Sequence, residues 1–157
     1  MGDLSQAAEL EAYLHEQIPV SRLMGIGVAE CLAGRLVLTA PLEVNHNHLG
    51  TAFGGSLATV ATLAGYGALW MALGDREAHV VVKKSEINYL HPVRKEIRAL
   101  CEMPVTNRLA GFRRTFSSRG KARMKLSVII REDDQDCVVF SGEFVAIRSV
   151  PGGGTLA

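Results

Sequence analysis

NHNHLGTAFGGSLATVATLAGYGALWMAL, residues Asn45 to Leu73, decides how the rest of the chain must fold. Asn45 to Gly50 is dominated by Asn, His and Gly, which favour turns over helix or strand. From Thr51 to Gly74 there is no charged residue. The pattern predicts a helix from about Phe53 or Gly55 to Leu73, stopped by Gly74 and Asp75. Such a helix is about 30 Å long. Gly65 and Gly67 each weaken it by about 1 kcal/mol relative to alanine, so close approach of a sheet or of a partner's backbone is expected there. A helix apolar on every side is buried in lipid or in its own protein. Length alone permits a bilayer span, which needs roughly 20 apolar residues. Against it stand the abundance of Gly, Ala, Ser and Thr and the lack of a closely flanking Lys or Arg cluster. The expectation is a helix enclosed by its own protein, with no membrane span.

The flanking segments supply what encloses it. Leu4 to Ile18 reads as a helix, with Ala7, Leu10, Tyr13, Leu14 and Ile18 at helical spacing, Ser5 placed to cap and Pro19 to stop it. Gly25 to Ala40 reads as two strands folded at Ala33-Gly34. Downstream, His79 to Leu90 is a β-branched strand closed by Pro92, and Val93 to Met103 is a second, ended by Pro104. Leu109, Phe112 and Phe116 predict a short helix over Asn107 to Gly120. Lys121 to Arg131 alternates basic with apolar, and Cys137 to Ser149 pairs with it across the Glu132–Asp136 turn. At least four strands, mostly linked as hairpins, follow the long helix. A single sheet that buries a helix apolar all round must curl around it. The fold class is therefore α+β, one domain over residues 1–150 with a flexible tail over 151–157.

Composition narrows the function. Of 157 residues, 48% are hydrophobic, enough for one sizeable core. A net charge of +1 argues against a general nucleic-acid binder. Cys31, Cys101 and Cys137 are odd in number, widely spaced and form no CxxC, as reduced buried thiols do. The opening MGDLSQAAEL carries acids where an export signal carries basic and apolar blocks, so a cytoplasmic location is expected.

Three segments carry a family likeness: Asn47-His48-Leu49-Gly50-Thr51-Ala52-Phe53-Gly54-Gly55-Ser56, Asn88-Tyr89-Leu90-His91-Pro92-Val93, and Arg119-Gly120-Lys121-Ala122-Arg123. In that order, over roughly residues 20 to 148, the chain resembles the hotdog-fold thioesterases, and among them the YiiD-type thioesterase domain. The resemblance implies an antiparallel sheet wrapped around one long helix and homodimers that pair sheets edge to edge, with tetramers as a further possibility. It also implies substrates that are acyl groups thioesterified to coenzyme A or acyl carrier protein, with no cofactor beyond that coenzyme A. One departure matters. Many such enzymes carry an Asp or Glu in the first two turns of the helix, and Gly55 to Thr62 holds none; the His often found before the paired glycines is Phe53.

Thioester hydrolysis needs a polarised carbonyl and an oriented water. The first turn of a helix offers unpaired N–H groups and a positive dipole end. Gly54 lets a ligand reach that backbone, so the N–H of Gly55 or Ser56 is the expected oxyanion donor. Asn47 and His48 are the expected residues to orient and deprotonate water, with Thr59 on the same helix face as Ser56. Asn45, Phe53, Asn88 and Tyr89 are expected to line the substrate, and Arg119, Lys121 and Arg123 to meet its phosphates or an acidic carrier. Plainer readings stand beside these. Asn45 and Asn47 are equally suited to capping the helix or shaping its entry turn. Ser56 suits a helix start better than a nucleophile. Thr59 and Thr62 either hold a water or back-bond within the helix. The basic run from Arg108 to Lys125 suits a solvated face. His46 and His48 flank Asn47 as metal ligands do, but no third ligand stands at familiar spacing. Gly54-Gly55-Ser56-Leu57-Ala58 only echoes a nucleophile elbow, because a polar turn rather than a strand precedes it. The missing carboxylate keeps a non-catalytic acyl-CoA or carrier-binding module open as the alternative, and makes a hydratase the weaker third.

Overall fold

The computed structural model describes residues 4–149. Helix α1 (Leu4–Gln17) and a short α2 (Pro19–Leu23) lead into strands β1 (Gly27–Leu32) and β2 (Arg35–Ala40). The long α3 (Gly54–Leu73) follows, then β3 (Ala78–Tyr89), β4 (Ile97–Glu102), α4 (Thr106–Arg119), β5 (Lys121–Glu132) and β6 (Gln135–Arg148). All six strands form one antiparallel sheet in the order β1-β2-β4-β5-β6-β3.

Helix α3 lies along the inner face of that sheet, with Val60, Ala61, Ala64 and Leu69 fully buried. It is long and apolar enough to cross a membrane, yet most of it is packed inside the molecule. The expected glycine contact is with the sheet: a Cβ on Gly65 would meet the Phe144 ring at 2.5 Å. Gly74 ends the helix in the left-handed conformation (φ 66°), where a residue without Cβ is unstrained.

Four expectations need adjustment. The strand expected over Val93 to Met103 starts only at Ile97. The Arg94 and Lys95 N–H groups both donate to Glu132 Oε2 at 2.8 Å, and the Val93 carbonyl accepts from Ala52 N–H, so these groups are satisfied outside the ladder. Only β1–β2 and β5–β6 are hairpins; β3 crosses to the far edge beside β6, which is how the sheet closes over α3. Pro19 does not simply end a helix, since it opens α2 at a position where its missing N–H is no loss. Ser5 lies inside α1 rather than capping it. The tail assigned to residues 151–157 falls outside the described residues.

Candidate active site at the start of the central helix

The turn from Asn45 to Thr51 is held by its own asparagines. The Asn45 amide is buried and donates to the carbonyls of Met24 (2.8 Å) and Pro41 (2.7 Å), pinning the turn to the preceding chain. The Asn47 side chain accepts from the N–H of Leu49 and of Thr51 and donates to Thr51 Oγ1 at 2.9 Å. Both act as turn-shapers, with Phe53 and not an asparagine at the helix cap. His48 stands exposed, and His46 Nδ1 is bonded to the Asn47 carbonyl. Among the described residues no group of three or more His, Cys, Asp or Glu is placed to hold a metal.

Beyond the turn, α3 starts without any side-chain cap. Its first described intrahelical bond runs from Leu57 N–H to the Phe53 carbonyl, so the N–H groups of Gly54, Gly55 and Ser56 are the helix's free first-turn donors. The half-exposed Phe53 ring lies so close over Gly55 that a Cβ there would collide with it. Ser56 is 9% exposed and its hydroxyl has no partner among the described residues. Thr59 and Thr62 hydroxyls donate to the carbonyls of Gly55 and Ala58, each at 2.8 Å, which is the back-bonding alternative.

The end of β3 forms the opposite wall. Tyr89 Oη donates to the Gly54 carbonyl at 3.2 Å, and the Tyr89 ring covers Gly54. A shallow cavity of about 230 Å³ opens there, lined by Gly54, Leu57, Tyr89, Leu90, His91 and Pro92 among others. Backbone bonds from Leu90 and His91 to the Cys137 carbonyl fix this wall. Among the described residues no carboxylate lines the cavity, and neither does His48. His91 was not singled out from sequence. Its sequence signal is its place in the Asn88–Val93 segment that carries part of the family likeness, but 37 residues separate it from Gly54 and nothing local joins the two.

The basic residues lie elsewhere. Arg123 stands opposite Val145 on β6, whereas Tyr89 stands opposite Val138 on the same strand. At a rise of about 3.3 Å per residue that is about 23 Å of strand. Arg123 pairs with Glu143 (3.8 Å), while Arg119, Lys121 and Asn88 are exposed. Within one chain, therefore, Asn45, Phe53, Gly54, Gly55, Ser56 and Tyr89 gather at the helix start, and the Arg119–Arg123 cluster does not join them.

This architecture has relatives among solved structures. A "putative thioesterase from Shewanella oneidensis" is 32% identical, with a TM-score of 0.81 over 91% of this chain and 98% of that one. A protein of unknown function from Chlorobaculum tepidum TLS is 30% identical, with a TM-score of 0.85 over 91% and 94%. A "probable thioesterase" from Pseudomonas aeruginosa shares the fold at 21% identity, with a TM-score of 0.77 over 89% and 95%. The sheet wrapped around one long helix is thus the hotdog fold. Residues 7–148 match the family described as "Putative thioesterase (yiiD_Cterm)", and with nearly the whole described fold inside that match, the chain belongs to this thioesterase family.

Proposed function

We propose that the protein is an acyl-thioester hydrolase working as a homodimer on acyl groups carried by coenzyme A or acyl carrier protein. The observation that carries the reading is the uncapped, glycine-paired start of α3 facing His91 across a small cavity. The thioester carbonyl would seat against the first helical turn, with the Gly55 or Ser56 N–H taking the charge that develops on its oxygen. One such donor is typically worth about 2.7–4 kcal/mol of barrier. His91, rather than His48, is the proton acceptor this geometry favours, because it lines the same cavity as Gly54. It would take a proton from water as the oxygen attacks the carbonyl carbon. The proton then passes to the sulfur as the C–S bond breaks, leaving a carboxylic acid and a thiol. No cofactor is needed beyond the coenzyme A that the substrate carries. The buried thiols of Cys101 and Cys137 suit the reducing cytoplasm.

The dimer is supported by surface this chain leaves bare. Gly55, Ala58, Thr59, Thr62 and Tyr66 form one stripe of α3 that is only half-buried or exposed. Beside it, Val82 and Tyr89 on β3 point to the inner face of the sheet yet are 43% and 53% exposed. A second copy adding its own β3 edge to edge would cover both. Antiparallel pairing would also bring the start of the partner's β3, with the basic cluster two strands away, toward this chain's Tyr89. That is where the phosphates of coenzyme A need cations.

Hydrolysis of a panel of acyl-CoAs tests the reading. His91→Ala is expected to lower kcat/KM by about 10²–10⁴-fold, the usual contribution of a general base. His48→Ala is expected to stay near wild type. Wild-type rates from His91→Ala would remove His91 from the mechanism. The absence of a lining carboxylate favours a second reading, a binding module. Saturable binding of a non-hydrolysable acyl-CoA analogue without turnover of any thioester would select it.

A further inference from the structure

At the other end of α3, a helix length of about 30 Å from the glycine pair, lies a cavity of about 610 Å³ that the reaction above does not use. It sits between the β1–β2 turn, the last two turns of α3, and the first half of α4. Its size falls within the range of about 300–1,000 Å³ common for small-molecule sites. Met71, Met103 and Leu109 give it apolar walls, and flexible methionines adapt to a linear guest. Three arginines reach it, and among the described residues no acid lines it. Two of them are already neutralised from outside: Arg35 by Glu30 at 3.2 Å, and Arg76 by Glu9 at 2.9 Å. Arg113 differs. Its Nε donates to the Ala72 carbonyl in the last turn of α3 at 2.8 Å, and its terminal nitrogens have no hydrogen-bond partner among the described residues. The cavity thus combines apolar walls with one guanidinium that no carboxylate among the described residues pairs, held in place by a helix end.

We propose that this cavity binds a monoanionic amphiphile, a medium-chain carboxylate. Its carboxylate would lie on the terminal nitrogens of Arg113 and its chain against Met71, Met103 and Leu109. A single planar guanidinium matches a carboxylate in both charge and shape. The proposal does not rest on the hydrolase reading, although such an acid would be that reaction's product and the site would then report product level.

Calorimetric titration of the full chain with sodium decanoate, below its micelle concentration, tests it, with decanol as the neutral control. Decanoate is expected to bind saturably and decanol at least about tenfold more weakly. Arg113→Ala is expected to weaken decanoate at least about tenfold, the scale of a lost charge-assisted bond. Ala110→Phe, which puts a ring into the cavity from α4, is expected to abolish binding. Acyl-CoA hydrolysis without decanoate should be unchanged in Arg113→Ala. No saturable binding of decanoate, or equal binding of decanol, would overturn the proposal. So would decanoate binding that survives both variants but is displaced by a non-hydrolysable acyl-CoA analogue, because that places the acid at the glycine pair instead.

Discussion

The two edges of the sheet are treated in opposite ways. At one edge, β1 is six residues long, broken by an irregularity between Val28 and Glu30, and clamped by α1. Glu11 Oε2 accepts the Val28 N–H at 2.9 Å, and His15 Nε2 is bonded to the Ile26 carbonyl at 2.6 Å. Tyr13 anchors the clamp to the core, stacking on Trp70 at 4.4 Å and sharing a 3.1 Å hydrogen bond with Tyr66. At the other edge, β3 runs twelve residues, with an irregularity of its own between Val82 and Lys84 but with Val81 and Val82 exposed, and among the described residues only β6 pairs with it. A long edge with exposed apolar residues is an invitation to pair, and soluble proteins ordinarily shorten, charge or cover it; β3 carries Lys83, Lys84 and Glu86 but no covering element on its Val81–Val82 stretch among the described residues. Here the chain covers one edge with its own helix. The other is the edge that the proposed dimer would use, and it runs directly into Tyr89 and the candidate site.

That contrast breaks most visibly at β3. Val82→Glu would place a carboxylate on the inward, bare part of the strand, where the proposed partner removes water. Light scattering is expected to show wild type as a dimer and the variant as a monomer, with hydrolysis down by about 100-fold or more if the site needs both copies. A variant that dimerises like wild type would remove the β3 edge from the assembly. At the β1 edge the effect should be on stability instead. Glu11→Ala leaves the Val28 N–H without its acceptor, an expected loss of about 1–3 kcal/mol in chemical unfolding, whereas Glu11→Gln should recover part of it. Equal stability of both variants with wild type would show that the clamp is incidental. The smallest effect sharpens how α1 is seated. Burial first, and then the bond to Tyr13, hold the Tyr66 phenol above its ordinary 10.0. As pH rises past 10 the unfolded chain gives up this proton while the folded chain keeps it, so stability falls with rising pH. Tyr66→Phe should make that decline shallower over pH 10 to 11, and an unchanged slope would disconnect Tyr66 from it.

Much of this was legible in the chain itself. The uncharged run from Thr51 to Gly74 read as a helix enclosed by its own protein in preference to a bilayer span, with its start within a residue of the observed Gly54. Alternation in Lys121 to Arg131 and the Glu132–Asp136 turn read as a hairpin, which the structure bears out with the turn narrowed to Asp133-Asp134, both at positive φ. These are local signals, in which periodicity and turn chemistry act over a few residues.

The sequence by itself thus determined the elements, the curled α+β class and the helix start as the place to look. Only the tertiary structure decided which neighbours that start would have. Asn47 reads as a candidate for orienting water, but its amide is consumed by the Leu49 and Thr51 N–H groups and the Thr51 hydroxyl. His91 lies in the Asn88–Val93 segment of the family likeness with no role attached to it there, and it lines the same cavity as Gly54 because β3 crosses to the sheet's far edge and ends beside α3. The physical reason is that hydrophobic pattern fixes which face of an element is buried, while strand order and hydrogen-bond pairing across distant segments fix which side chains meet.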